Sequence, residues 1–245
     1  MTAFRLADLN RRLFDFVVGA YRPTRKRAQL PDDQQDLVEE FHRVYYASLH
    51  SVAPEPSELS WLGYRTLKCP FDLITYQEII CDKQPDLIIE TGTKFGGSAL
   101  FFATICQMIG AGRVVSIDTA PQEGLPRHAL IQYLRGSSTA PEIVKQVAAM
   151  AGPGAKVMAI LDSNHRMDHV SEELAVYSNM VTPGQYLIVE DGNINGHPVF
   201  PEFGPGPQEA LQRFLREDPR YVSDRDRERH LVSFAPNGFL LRKPE

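Results

Sequence analysis

The chain has 245 residues, a mass of 27.6 kDa and a formal net charge of -5, with 43% hydrophobic and 23% charged residues. This balance is ordinary for a soluble globular protein and provides enough chain for one substantial core. An acidic protein with a pI near 5.8 lacks the basic surface that binds nucleic acids and anionic membranes, which argues against both classes of partner. The three cysteines, Cys69, Cys81 and Cys106, form no CxxC pair, which predicts reduced thiols in a cytoplasmic protein.

The N-terminal part of the chain is predicted to be helical. Residues 4–20 carry apolar side chains at roughly helical spacing, but charges interrupt them, so neither a secretory signal nor an integral membrane segment is predicted. A break rich in Pro, Arg and Lys follows, and a second amphipathic helix is predicted in DDQQDLVEEFHRVYYASL. We therefore predict a helical extension over residues 1–57 and a main domain over 58–245. The apolar residues of the extension favour self-association, and a dimer is expected.

Short β-rich runs alternate with helical patterns from residue 86 onward. The runs are LIIETG, RVVSIDT, LIQYLRGSS, KVMAILDS and QYLIVEDG. Strands separated by helices in this way form crossover units, so the sequence predicts an α/β fold with a doubly wound, mainly parallel sheet. In the tail HLVSFAPNGFLLRK, two β-rich segments meet at Pro-Asn-Gly, which predicts an antiparallel hairpin at the sheet edge.

A glycine-rich turn follows the first of these strands, in the sequence ETGTKFGGS. Gly92 and Gly96 allow a sharp turn and a close approach of a ligand to the backbone, at the strand ends where such sheets bind ligands. The spacing is neither the G-x-G-x-x-G of dinucleotide sites nor a phosphate loop. It suits a nucleoside ligand without a pyrophosphate, such as S-adenosylmethionine. Asp118 at the next strand end could accept hydrogen bonds from the ribose hydroxyls of that ligand. The alternative is a turn without a ligand.

Two later strands also end on carboxylates, Asp162 and the pair Glu190 and Asp191. These are hard oxygen ligands of the kind that hold Mg²⁺ while it keeps waters for a substrate to displace. A metal bound there could lower the pKa of a hydroxyl, and His165 could take its proton as a general base. The alternative is that Asp162 caps the following helix and His165 is a surface residue of its first turn.

The segment EDGNINGHPVFPEFGPGPQEAL is long for a connection from strand to helix and is rich in Gly, Pro and Asn. Long connections of this kind are often functional, so it is predicted to be a substrate loop. His197 within it is either a second base or substrate contact, or a loop histidine whose hydrogen bonds are satisfied locally.

Several of these motifs together resemble a known family. They are WLGYRTLKCPFD, IIETGTKFGGSALFFA, SIDT, GSSTAPEIV and LDSNHRMDHVSEELAVYSNMVTPGQYLIVEDGNINGHPV. In this order they are similar to the cephalosporin hydroxylase family of class I methyltransferases, which includes rhamnosyl O-methyltransferases of glycolipids and O-methyltransferases of methylmannose polysaccharide. The resemblance covers roughly residues 58 to 242. It implies a Rossmann-like, seven-stranded sheet, S-adenosylmethionine as the methyl donor and a Mg²⁺ site.

The resemblance also implies roles for individual residues. His165 would be the general base. The metal ligands would be Asp162, Glu190 and Asp191. The cofactor residues would be Glu90, Thr91, Gly92, Gly96 and Asp118, with Ser137 and Ser138 near the adenine.

The sequence therefore predicts a Mg²⁺-dependent O-methyltransferase that acts on a sugar hydroxyl of a glycan or glycolipid. One alternative is an antibiotic-tailoring methyltransferase with a small-molecule acceptor. Another is a catalytically silent partner subunit, against which the complete set of acidic residues and histidine argues. A nicotinamide dehydrogenase is argued against because G-x-G-x-x-G is missing.

Overall fold

The computed structural model describes residues 26–49 and 58–244. The first described helix, α1 (Asp32–Leu49), confirms the predicted second amphipathic helix. The apolar segment at 4–20 and the boundary between residues 57 and 58 lie outside the described residues. The division into an extension and a main domain, and the dimer, therefore stay predictions. No helix of the described part of the chain is long and apolar enough to cross a membrane.

Helices and strands alternate from residue 86 onward, as predicted. The elements after α1 are β1 (Ser60–Trp61), β2 (Tyr64–Arg65), α2 (Pro70–Lys83), β3 (Leu87–Thr91), α3 (Gly97–Ile109), β4 (Val114–Asp118), β5 (Ile131–Arg135), α4 (Pro141–Met150), β6 (Val157–Leu161), α5 (Met167–Tyr177), β7 (Tyr186–Val189), α6 (Pro207–Glu217), β8 (Tyr221–Ser223), a 3-10 helix (Arg225–Glu228) and β9 (Phe239–Arg242). Strands β1 and β2 form a small antiparallel pair of their own.

The main sheet has seven strands in the order β5-β4-β3-β6-β7-β9-β8. Strands β3 to β7 are parallel, and the two edge strands β9 and β8 are antiparallel, so the predicted fold class is confirmed. The strand order reverses beside β3, which opens a crevice at the carboxyl ends of the strands. The register pairs Thr91 with Leu161 and Leu161 with Val189. Asp162 and Glu190 therefore leave two neighbouring strands at the same level.

The strands are buried because helices cover both faces of the sheet. Every residue of β3, β6 and β7 is buried. Helices α4, α5 and α6 pack on one face, and α2 and α3 pack on the other. Each fully buried Ile, Leu or Val contributes about 1.5–3 kcal/mol, so this double layer fixes the positions of the strand ends. A third cluster joins α1 to the loops after β7 and before β9, with Tyr46, Ile194 and Phe234 at its centre.

The C-terminal hairpin differs from the prediction in one strand. The segment before Pro-Asn-Gly was expected to pair with β9, but β9 pairs with β8 instead. Residues 231–236 form a loop, because their apolar side chains Val232 and Phe234 pack under α1 and the Phe234 N–H donates to Asp72 (2.8 Å). Gly238 lies so close to β7 that a Cβ at this position would be 2.1 Å from the Val189 carbonyl oxygen. The missing side chain therefore lets β9 begin directly beside β7.

Candidate active site

Three of the predicted site residues meet at the carboxyl ends of β6 and β7. One ligand atom from each of Asp162, His165 and Asp191 lies within 4.8 Å of the others. The His165 Nε2 is 3.2 Å from Asp191 Oδ2. Asp191 adopts a left-handed backbone conformation (φ 52°), which Asp tolerates better than most residues and which turns the chain out of the strand. Two carboxylates and an imidazole at one point are a donor set that fits a divalent cation.

Glu190 lies beside this cluster and faces a buried cation. Its side chain is 5% exposed, and its Oε1 accepts hydrogen bonds from Lys68 Nζ (2.6 Å) and from the Tyr76 hydroxyl (2.6 Å). Lys68 Nζ also donates to Asp162 Oδ2 (2.5 Å). Sequence reasoning did not predict Lys68 or Tyr76. The available signal was a lysine among apolar residues in TLKCPF, directly before a helix that begins at Pro70.

Burial and charge act against each other at these carboxyl groups. Burial raises the pKa of Glu190, and the adjacent Lys68 ammonium lowers it. Burial also raises the pKa of Asp162, again opposed by Lys68, and the nearby Asp191 carboxylate raises it further. Carboxylates held together out of water are costly unless cations offset them. The arrangement therefore favours a bound cation.

A cavity of about 340 Å³ lies between the ends of β3, β4 and β5 and the start of α5. Four of the predicted cofactor residues line it: Gly92, Asp118, Ser137 and Ser138. The Asp118 carboxylate is held in place by the backbone N–H groups of Lys94 (2.8 Å) and Ala120 (2.9 Å). Ser138 donates to the buried carboxylate of Glu173 (2.6 Å), which also accepts from Ser163 (2.7 Å).

The other three predicted cofactor residues lie behind this cavity and do not line it. Glu90 and Thr91 are fully buried in β3, and Gly96 precedes α3 in a left-handed conformation (φ 74°). Glu90 Oε2 accepts from Ser116 (2.6 Å), while its Oε1 is buried and has no hydrogen-bond partner among the described residues.

Gly92 lines the cavity and also has a backbone conformation that favours glycine. Its φ of 92° is unfavourable for other residues, and a Cβ there would lie 1.8 Å from the Asp162 carbonyl oxygen. The turn after β3 therefore presses directly on the end of β6. The sequence predicted the glycine as a point of ligand approach, and the structure adds this second reason for it.

A second cavity, of about 370 Å³, adjoins the first. Asp162, His165 and Asp191 line one side of it. Its apolar wall consists of Tyr46, Leu67, Ile194, Phe200 and Phe203. Both cavities share Gly92, Asp118 and Ser163, so they form one trough that runs from the ends of β4 and β5 to the acidic cluster.

Helix α1 contributes to this second cavity. The Tyr46 ring packs edge-on against Phe200 (centroids 5.4 Å apart), and its hydroxyl is 3.4 Å from Asp191 Oδ1. The predicted substrate loop supplies Ile194, Phe200 and Phe203 to the same wall. His197 of that loop is exposed, does not line this cavity and pairs with Glu209 (3.0 Å). The structure thus agrees with the local interpretation of His197.

Known proteins resemble this chain over most of its length. The family model described as Rhamnosyl O-methyltransferase/CmcI matches residues 56–243. A rhamnosyl O-methyltransferase of Mycobacterium leprae (strain TN) is 40% identical over 241 residues, which cover 95% of this chain and 98% of that protein. The rhamnosyl O-methyltransferase of Mycobacterium tuberculosis (strain CDC 1551 / Oshkosh) is 40% identical and covers 84% of this chain, with 85% of its own length matched.

Solved structures of CmcI share the fold. An apo structure of CmcI superposes with a TM-score of 0.61 at 19% identity, over 95% of this chain and 96% of that one. A CmcI structure described with Mg and SAM gives a TM-score of 0.60 at 21% identity, over 91% of this chain and 88% of that one. These likenesses support the seven-stranded architecture of the main sheet.

Proposed function

Since the chain belongs to the Rhamnosyl O-methyltransferase/CmcI family, we propose that it transfers a methyl group from S-adenosylmethionine to a sugar hydroxyl, with the help of a divalent cation. The observation that carries the proposal is the trough. One cavity contains Gly92 and Asp118 and suits a nucleoside, and it opens into another that contains the acidic cluster and His165. A methyl donor in the first cavity and an acceptor in the second would meet at their shared wall.

Asp118 would hold the ribose of the donor, because its carboxylate is fixed by two backbone N–H groups and lines the cavity. Ser137 and Ser138 would lie near the adenine, and Glu90, Thr91 and Gly96 would shape the turn from behind. With the donor held on one side and the acceptor on the other, positioning supplies a large part of the rate enhancement.

Asp162, Asp191 and Glu190 would hold the cation, which lowers the pKa of a hydroxyl that it contacts. His165 would accept the hydroxyl proton while the oxygen forms its bond to the methyl carbon and the bond from carbon to sulfur breaks. The proton would end on the imidazole, whose Nε2 lies 3.2 Å from Asp191 Oδ2, and the negative charge of that carboxylate would stabilise the imidazolium.

The acceptor is proposed to be a terminal sugar of a glycan or glycolipid. The two curated relatives described above are rhamnosyl O-methyltransferases by name. The acceptor cavity is at the small end of the range of ligand pockets, about 300–1,000 Å³, which suits one sugar ring with an apolar neighbour. Its apolar wall would contact the non-polar face of the ring. An antibiotic-sized acceptor is the alternative, and the acceptor assay described next distinguishes the two.

Methyl transfer from labelled S-adenosylmethionine to a panel of acceptors tests the proposal. We expect transfer to rhamnosides or mannosides with free hydroxyls, complete loss of transfer in EDTA, and recovery on addition of Mg²⁺. A fully methylated glycoside serves as the control acceptor. Full activity in EDTA would refute the proposed dependence on a divalent cation. Transfer only to hydroxylated antibiotics would favour the alternative acceptor.

A further inference from the structure

We propose that Lys68 is the built-in counter-ion of the candidate metal site, and that it holds Asp162 and Glu190 in position before a metal arrives. The inference rests on the proposed function in so far as these carboxylates are taken as metal ligands. The Lys68 side chain is 2% exposed, and its Nζ lies 2.5 Å from Asp162 Oδ2 and 2.6 Å from Glu190 Oε1. One ammonium thus joins the ends of the neighbouring strands β6 and β7.

The charges at this point explain why a counter-ion is needed. Glu90 lies near the end of β3, and Asp162 and Glu190 follow the adjacent strands β6 and β7. Glu90 and Glu190 are nearly inaccessible to water. Each carboxylate repels the others, and each has lost its hydration. A buried ammonium between two of them is favourable when both sides are hydrogen-bonded, whereas removal of one partner leaves an uncompensated charge. Lys68 meets that condition because it donates to both carboxylates.

The contacts of Lys68 also decide which oxygens remain available. Lys68 and the Tyr76 hydroxyl both bind Glu190 Oε1, and Lys68 binds Asp162 Oδ2. The second oxygens, Asp162 Oδ1 and Glu190 Oε2, accept no hydrogen bond from the residues that the structure describes. Each carboxylate is therefore anchored to the protein through one of its two oxygens. Lys68 is in this sense a positioning residue.

The segment that carries Lys68 is itself held firmly. Its backbone passes so close to the start of α3 that a Cβ on Gly97 would lie 2.3 Å from the Arg65 carbonyl oxygen. The Thr66 N–H donates to the Leu59 carbonyl (2.7 Å). Helix α2 begins two residues after Lys68 and returns Tyr76 to the same Glu190 oxygen. The segment from β2 to α2 therefore contacts and stabilises the ends of both β6 and β7.

The decisive experiment measures the thermal stability of the full chain, in EDTA and in excess Mg²⁺, for Lys68→Met and the wild type. Methionine keeps a long unbranched side chain without the charge. In EDTA we expect a fall in Tm on the order of 10 °C, because breaking a buried ion pair is strongly destabilising. In Mg²⁺ we expect most of that loss to be recovered, so that the Mg²⁺-induced rise in Tm is larger for the variant than for the wild type.

A compensating variant separates a counter-ion from a packing residue. Lys68→Met combined with Glu190→Gln removes both the cation and one of its partners, so it should be more stable in EDTA than Lys68→Met alone. It also keeps the inference testable if the single variant does not fold. Lys145→Met, in which an exposed lysine of α4 loses its charge, is the matched control and should change Tm by less than about 2 °C.

The outcomes separate this inference from the proposed function. If Lys68→Met is as stable as the wild type in EDTA, or if Glu190→Gln gives no compensation, Lys68 is not the counter-ion. If the wild type binds neither Mg²⁺ nor Mn²⁺ in calorimetry, the metal-dependent function is wrong. The stability of the variants in EDTA still decides the role of Lys68 in that case.

Discussion

The imidazole of His165 lies where two roles compete. It belongs to the group of three ligand atoms within 4.8 Å of one another, so it could bind a cation, and it borders the acceptor cavity, so it could take a proton. A nitrogen that binds a cation cannot accept a proton at the same time. Because Mg²⁺ prefers oxygen ligands, the proposal assigns the metal to the carboxylates and the proton to the imidazole.

For His165→Ala we predict a fall in kcat of roughly 10²–10⁴, the usual contribution of a general base. The affinity for Mg²⁺ or Mn²⁺, measured by calorimetry, should change little. The matched control is His197→Ala, since His197 is an exposed histidine paired with Glu209 outside this cavity. A large loss of metal affinity in His165→Ala would make the histidine a ligand instead.

Residues that follow strands were predictable because their positions depend on local patterns. Asp162, His165 and Asp191 each follow an apolar run, and parallel strand ends meet at one edge. Lys68 and Tyr46 were not predictable in this way. Lys68 precedes Asp162 by 94 residues and Tyr46 precedes Asp191 by 145, and no spacing rule connects residues so far apart. Their roles depend on how separate elements pack.

Among the elements, the loop between β7 and α6 shapes the proposed acceptor cavity. Its Phe203 is held by Arg166, whose guanidinium stacks over the ring (4.6 Å) and donates to the Phe203 carbonyl (2.7 Å). Of the two cavities of the trough, the ring lines the one that contains the acidic cluster. A change at Phe203 should therefore affect the acceptor and leave the donor alone.

For Phe203→Ala we predict a rise of about tenfold in KM for the sugar acceptor, equivalent to about 1.4 kcal/mol, with KM for S-adenosylmethionine unchanged. Steady-state kinetics with each substrate varied in turn would measure both. Phe71→Ala is the control, because Phe71 is a 39% exposed phenylalanine on α2 that lines neither cavity. Equal rises for both substrates would argue against a separate acceptor wall.

The elements of the sheet were predicted well, and the exception has a physical cause. Alternation of apolar strands with helices identified β3 to β7, and the Pro-Asn-Gly turn identified the start of β9. The apolar residues before that turn suggested a strand, but Val232 and Phe234 pack in the third cluster under α1. Apolar periodicity indicates that a segment is buried, but it does not indicate the partner against which the segment packs.

At the scale of the whole molecule, α1 joins the main domain through a buried histidine. His42 is 6% exposed, and its Nε2 lies 2.9 Å from Asn193 Nδ2. Burial and, to a smaller extent, the nearby Arg43 lower the pKa of His42 to about 4, while Asp191 acts in the opposite direction. Folding therefore depends on the neutral form of this ring.

The unfolded chain takes up a proton at His42 as the pH falls through 6.5, while the folded protein does so only near pH 4. The free energy of unfolding therefore falls as the pH falls from 6.5 towards 4, because only the unfolded chain binds a proton at His42 in that range. Between pH 6.5 and pH 5 we predict a loss of about 2 kcal/mol in the free energy of unfolding from this group. Urea unfolding of wild type and His42→Gln at both pH values measures it. Equal losses in the two proteins would contradict the prediction.

The contact between Gly92 and the Asp162 backbone limits how the activity can be redesigned or can diverge. The turn that borders the proposed donor cavity and the strand end that carries the acidic cluster are in direct contact, so neither can move without the other. Tyr46, Phe200 and Phe203 lie on segments outside this contact. We therefore expect variants with new acceptors to change α1 and the loop after β7, and to leave the geometry of methyl transfer as it is.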